Sequence, residues 1–200
     1  MNYDIIASLG KGEYKSRGSK FFSFSHSINN IDDYKHLISI YKTNFPEACH
    51  VCSAYRLFID SRIDEYASDD GEPKGSSGQP ILNQLKSNNL INSSIYVVRI
   101  FGGNLLGISG LIEAYSNAAL IAIDNSKCIP WYQKRKVSLK FSYKYQGLVE
   151  SIISEFSAEI EDKKFSEDVV MIISIKDDYI NLFKNKIEEL SSGNIHPLLL

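Results

Sequence analysis

The stretch Asp69–Leu82, DDGEPKGSSGQPIL, packs three carboxylates, one Lys, two hydroxyls, three glycines and two prolines into its first twelve residues. Asp70-Gly71 is a strong turn pair, and Pro73 fixes the chain just after it. Gly75 and Gly78 permit backbone conformations that expose several amides together. Pro80 fits the first turn of a helix, where its missing donor costs nothing, and Ile81, Leu82 and Leu85 give that helix an apolar stripe. Two readings stay open. The loop is a rigid turn with a helix cap, or its amides converge with the Ser76 and Ser77 hydroxyls and the Lys74 charge into an anion-binding nest. Asp69, Asp70 and Glu72 offer hard oxygens to a cation, but the spacing of a calcium loop is absent and no metal is expected.

On either side of this loop the pattern is that of alternating strands and helices. KFFSFSHSI (Lys20–Ile28) reads as extended. Asn30 or Asp32 caps a helix in which Tyr34, Leu37, Ile38 and Tyr41 recur at helical spacing. Ala48–Ile59 is a strand by its small and β-branched content. SIYVVRIF (Ser94–Phe101) is a near-continuous apolar run and so a central strand. It leads through GGNLLGISG (Gly102–Gly110) into a helix over Leu111–Ile123.

That second glycine-rich turn lacks the Lys-Ser/Thr pair of a phosphate loop. Gly102 and Gly103 are adjacent, which excludes the dinucleotide fingerprint. What survives is close backbone approach plus a helix N-terminus, suited to phosphate, to another backbone, or to tight helix-on-strand packing. Cys49-His50-Val51-Cys52 holds a C-x-x-C, yet strand alternation puts His50 and Cys52 on one face and Cys49 on the other. The two thiols are split, which is poor for zinc or redox chemistry, and no second ligand pair exists. His50 with Cys52 would form a nucleophile–base pair, but a lone strand His is more often part of the structure.

Around Asp124–Pro130 the pattern changes, marking an expected boundary between domains at 1–127 and 128–200. Beyond it come strand (134–143), helix (146–157), strand (158–164), strand (168–176), helix (179–190) and a short strand near 195–200. This βαββαβ order is that of a ferredoxin-like sandwich.

The formal net charge of −2 and pI of about 6.1 exclude a global basic field, so any polyanion surface must be local. Lys134–Lys136 is basic but reads as a solvated strand edge. Three cysteines, an odd number, argue against a disulfide framework and for a reducing, cytoplasmic setting. The longest apolar run, Val169–Ile175, is too short to span a bilayer, and the N-terminus lacks the pattern of a signal peptide.

Taken in order, Ala48-x-His50-x-Cys52-x-Ala54-Tyr55-Arg56, then DDGEPKGSSGQPIL, then VVRIFGGNLLGISGLIEAY strongly resemble the IMPACT family, the YigZ-like bacterial proteins and their eukaryotic translation-regulating relatives. The family pattern runs close to DDGEPxGTAGxPIL and RYFGGxKLGxGGLxRAY, and the likeness covers about residues 12–125. The C-terminal half is similar to the second domain of bacterial members, itself like the last domain of elongation factor G. The resemblance implies an α+β protein whose N-terminal domain has a left-handed βαβ fold, as in the second domain of ribosomal protein S-five. It implies no cofactor and no catalytic chemistry. Its eukaryotic members are linked to an activator of a kinase acting on an initiation factor, and the resemblance implies nucleic-acid or ribosome binding for its bacterial members. Here Leu105 stands at the family's common Lys, Ser109 at a Gly and Glu113 at an Arg, so two cationic positions are lost. Ser76-Ser77 stands at Thr-Ala.

The expectation is a non-enzymatic protein of the translation apparatus that binds the ribosome, RNA or a regulatory protein partner. Its recognition surface would combine His50, Asp69, Asp70, Glu72, Lys74, Ser76, Ser77 and Arg99 with the turn at Gly102-Gly103. The alternative is a hydrolase using Asp69, Asp70 or Glu72 with His50.

Overall fold

Every residue of one strand except its last is buried, and the N-terminal unit is built around it. In the computed structural model, which describes residues 3–200, this strand is β6 (Ser93–Ile100). It pairs antiparallel with β3 (Ser19–Ser27) on one side and β4 (His50–Ile59) on the other. β2 (Gly10–Ser16) and β5 (Arg62–Ser68) complete the sheet, in the order β2-β3-β6-β4-β5. β3 and β4 therefore run parallel, joined over β6 by α1 (Ile31–Asn44). β5 and β6 are likewise parallel, joined by α2 (Gly78–Ser87). These are the βαβ crossovers of the expected α+β fold.

Alternation in β6 and β4 sends side chains to two cores. Val51, Tyr55, Leu57, Tyr96 and Val98 pack with Tyr34 and Tyr41 of α1. Cys52, Ala54, Ile95 and Val97 face α2 and α3 (Gly107–Asp124), meeting Ile81, Leu85, Ala114 and Tyr115. α1 starts as its sequence dictates. The Asn30 side chain accepts from the Asp33 amide at 2.8 Å, and the Asp33 carboxylate accepts from the Asn29 amide at 2.8 Å.

Four strands lie outside the sequence-based expectation. β2 carries glycines because α3 lies against it: a Cβ on Gly10 would stand 1.9 Å from the Ala122 carbonyl oxygen. β5 is an edge strand with little buried surface. β1 (Tyr3–Ser8) and β7 (Lys127–Trp131) form a separate antiparallel ribbon. Pro130 sits in β7 opposite Asp4, where a two-stranded ribbon tolerates a residue without an amide. β7 ends at Trp131, and so does the first compact unit.

The second unit, residues 132–200, follows β8 (Lys134–Phe141), α4 (Gln146–Glu155), β9 (Glu159–Phe165), β10 (Val169–Lys176), α5 (Ile180–Leu190) and β11 (Leu198–Leu199). Its antiparallel order β11-β8-β10-β9 puts the last strand beside the first, the ferredoxin-like arrangement. Val137, Leu139, Met171 and Ile173 from one face of the sheet pack with Ile152 and Phe183 of the two helices.

Candidate functional site

The loop after β5 closes on itself. The Asp69 carboxylate accepts from the amides of Gly75 (2.8 Å), Ser77 (3.1 Å) and Gly78 (2.8 Å) and from the Ser77 hydroxyl (2.7 Å). Amides do converge at the start of α2, as the glycines suggest. The anion they hold is the chain's own Asp69. Burial alone would raise the pKa of this carboxyl, but the bonds from Gly75, Ser77 and Gly78 hold it below the usual value. Ser76 and Ser77 are fully buried, and the Ser76 hydroxyl donates to the Pro73 carbonyl at 2.7 Å. An external anion finds this nest filled.

Asp70, at φ 42°, ties the loop to β4. Its carboxylate accepts from the Val51 amide at 2.8 Å and from Lys42 Nζ at 2.7 Å. Its carbonyl oxygen accepts from His50 Nδ1 at 2.7 Å. A carbonyl only accepts, so the network assigns the proton to Nδ1. Nε2 is then left without a partner among the described residues.

Glu72 turns inward. Phe21, Arg99 and His50 stand in one row across β3, β6 and β4, on the face covered by α2 and α3. Above them the Glu72 Oε1 accepts from Arg99 Nη1 at 2.6 Å and from the Tyr115 hydroxyl at 2.8 Å. Arg99 is 6% exposed, lies over the Phe21 and Phe101 rings, and its buried Nε has no partner among the described residues. Burial, then the neighbouring Cys52 and Glu72, raises the Tyr115 phenol's pKa. Cys52 donates to the Asp69 carbonyl, and desolvation pushes its thiol up to about 12. It is a packed group, not a nucleophile.

The second glycine-rich turn borders a cleft. Gly102 lies so near the β2–β3 hairpin that a Cβ would fall 1.9 Å from the Gly18 carbonyl carbon. The Asn104 side chain donates to the Arg17 carbonyl at 3.2 Å. Beyond this anchor the chain presents Phe101, Leu105, Ile108 and Ile112 to solvent, Leu105 at 83% exposure. Phe101, Leu105 and Ile108 rim a cleft of about 400 Å³ whose deeper lining includes Arg99, Glu72 and His50. A smaller hollow of about 220 Å³, lined by Lys42, Phe45, Cys49 and Asp70, shares the His50 wall.

Of the residues singled out in the sequence, His50, Glu72 and Arg99 thus meet at the cleft. Asp69, Ser76 and Ser77 form the internal cage, Asp70 borders the smaller hollow, and Lys74 and Gly103 are exposed. Sequence reasoning missed Tyr115 and the apolar rim. Tyr115 lies inside the quoted LIEAY, but no local spacing links it to Glu72. Among the described residues, no three His, Cys, Asp or Glu side chains cluster to hold a metal. No helix there is long and apolar enough to cross a membrane.

Residues 17–123 match the Impact N-terminal domain, more than half of the chain. The chain belongs to the IMPACT family. Residues 139–194 match a domain of unknown function, DUF1949. An IMPACT family member of Haemophilus influenzae is 29% identical over 189 residues, covering 94% of this chain and 92% of that one. The IMPACT family member YigZ of Escherichia coli is 25% identical over 186 residues, covering 91% and 90%. A solved structure of a hypothetical protein superposes with TM-score 0.73 at 23% identity, over 100% of this chain and 97% of that one, and shows the two-domain fold to be shared.

Proposed function

We propose that this protein is a non-enzymatic binding protein working in the cytoplasm with the translation apparatus, and that it docks a protein partner at the cleft beside β6. The translation setting comes from the family resemblance. The choice of protein over RNA is carried by one observation: the rim of the cleft is apolar. Leu105, at the family's Lys position in the turn before α3, is the most exposed part of that rim, and Glu113 stands for an Arg on α3. Each phosphate contact adds to affinity by counterion release, so a surface without these two cations holds nucleic acid weakly. Exposed apolar side chains grouped around a cleft mark a surface suited to contact with another protein, and they offer a phosphate backbone no partner. The hydrolase alternative needs a free carboxylate beside His50, whereas Asp69, Asp70 and Glu72 each have bonds to the protein itself.

The test compares wild type with Leu105→Asp in co-sedimentation with ribosomes, in capture of translation proteins identified by mass spectrometry, and in RNA gel shifts at about 50 and 200 mM salt. The expected result is capture of a translation protein that Leu105→Asp abolishes, with no RNA shift. An RNA shift that Leu105→Asp leaves intact and that weakens steeply with salt refutes the reading.

A further inference from the structure

Large apolar side chains exposed elsewhere in the N-terminal unit, such as Leu9, Ile31 and Ile129, are scattered along the chain, whereas Phe101, Leu105, Ile108 and Ile112 fall in one short segment. Single exposed apolar residues are ordinary, but a group this close marks a contact site. Ile108 and Ile112 are four apart and stand one above the other on α3, with Leu105 in the turn just before it. Two cations border the group. Arg17 belongs to the β2–β3 hairpin tip, and its carbonyl accepts from the side chain of Asn104, the residue before Leu105. Lys74 follows Pro73, which lines the cleft together with Leu105 and Ile108. Both are exposed, and neither side chain is in an ion pair among the described residues. Lys42, Arg56, Lys86 and Arg99, by contrast, each have a carboxylate of the chain itself. The nearby anions do not offset these two charges. Glu72 is buried and closed on Arg99 and Tyr115. Glu113 is exposed, but it comes five residues after Ile108 and so about 140° round the helix from it.

We propose that the apolar rim and these two cations receive an acidic segment of a protein partner. One large apolar side chain of the segment packs against Phe101, Leu105 and Ile108, and carboxylates on either side of it meet Arg17 and Lys74. This rests on the docking role proposed above and names the chemistry of what docks. The apolar contact supplies most of the affinity, while the charges choose the partner and speed its approach. An exposed ion pair of this kind strengthens binding by a factor of about 1.4 to 5. A basic segment meets two unpaired cations instead and is repelled. A nucleic acid matches the cations but not the apolar group between them, where its phosphates lose water and gain no partner.

The test is fluorescence polarisation of the full chain with short labelled peptides: a central Leu flanked by Glu residues, the same peptide with Lys for Glu, and the same with Ser for Leu. A uridine oligonucleotide serves as competitor. The Leu peptide flanked by Glu is expected to bind. Ser for Leu weakens it at least about tenfold, and Lys for Glu at least about fivefold. The oligonucleotide does not displace it. Leu105→Asp loses the peptide, and Arg17→Glu with Lys74→Glu reverses the preference so that the Lys peptide binds more tightly. A merely structural role for the two cations would not give that reversal. No binding by the Glu peptide, equal affinity for the Lys or Ser peptide, or displacement by the oligonucleotide overturns the proposal. The double charge variant also enters the capture experiment described above. If Leu105→Asp abolishes capture there and the double variant leaves it whole, docking stands and acidic recognition falls. If neither variant changes capture, both fall.

Discussion

Removing one partner from the Glu72–Arg99 pair should cost far more than removing both. The two side chains are 4% and 7% exposed, so water screens their 2.6 Å contact very little. Glu72→Gln leaves a buried guanidinium facing a neutral amide, a loss of about 3–5 kcal/mol. Arg99→Met strands the buried carboxylate at a similar cost. Glu72→Met with Arg99→Met together removes both charges and leaves only the Tyr115 hydroxyl unpaired, a loss of about 1–3 kcal/mol. Adding Tyr115→Phe recovers most of that. Stability is read by urea unfolding, following the fluorescence of Trp131, the chain's single Trp, which lies in the N-terminal unit. Slopes are compared to verify that each transition remains two-state. Single losses that simply add in the double variant, to within about 0.5 kcal/mol, would refute the coupled pair beneath the cleft.

Asp69→Ala orphans the Gly75, Ser77 and Gly78 amides and should cost about 2–3 kcal/mol at neutral pH by the same urea assay. Its folded pKa lies below the ordinary 3.8, so the contribution is whole above that value and is lost as pH falls through the folded pKa. The gap between wild type and variant therefore stays constant from pH 7 down to about 4 and closes only in stronger acid. Brief alkylation of the native protein at pH 7.5, mapped by mass spectrometry, should label the exposed Cys49 and Cys128 and spare Cys52. Labelling of Cys52 at a comparable rate would mean that this face of the sheet opens.

The central place of β6 is legible because a run of apolar residues leaves no polar face for water. The cap of α1 and the six-element order of the C-terminal unit are legible for similarly local reasons. β2, β5 and β7 are not. Glycine in β2 reflects α3, whose residues lie a hundred positions away, and β5 is an edge strand that buries too little to alternate. Pro130 reads as a break unless the strand is known to have only one neighbour. At the site, the type of each polar residue is legible but its direction is not. Nothing in DDGEP says that Asp69 and Glu72 turn inward, because that depends on where β4, α2 and Tyr115 stand. The apolar rim at Leu105 is visible in the sequence only as a departure from the family pattern.

The caged Asp69 makes its loop a receptor and its ligand on one chain. A tethered carboxylate faces its amides at an effective concentration no dissolved phosphate or acetate reaches in a cell, so free anions do not compete. Cutting that tether chemically, by Asp69→Gly, would leave an open oxyanion seat at the head of α2. Added formate or acetate should then restore stability in proportion to its concentration. The loop that looks most like a display of acidic groups therefore works as an occupied lock. What it leaves facing solvent is the outside of its closed turn, with the Lys74 side chain exposed beside it.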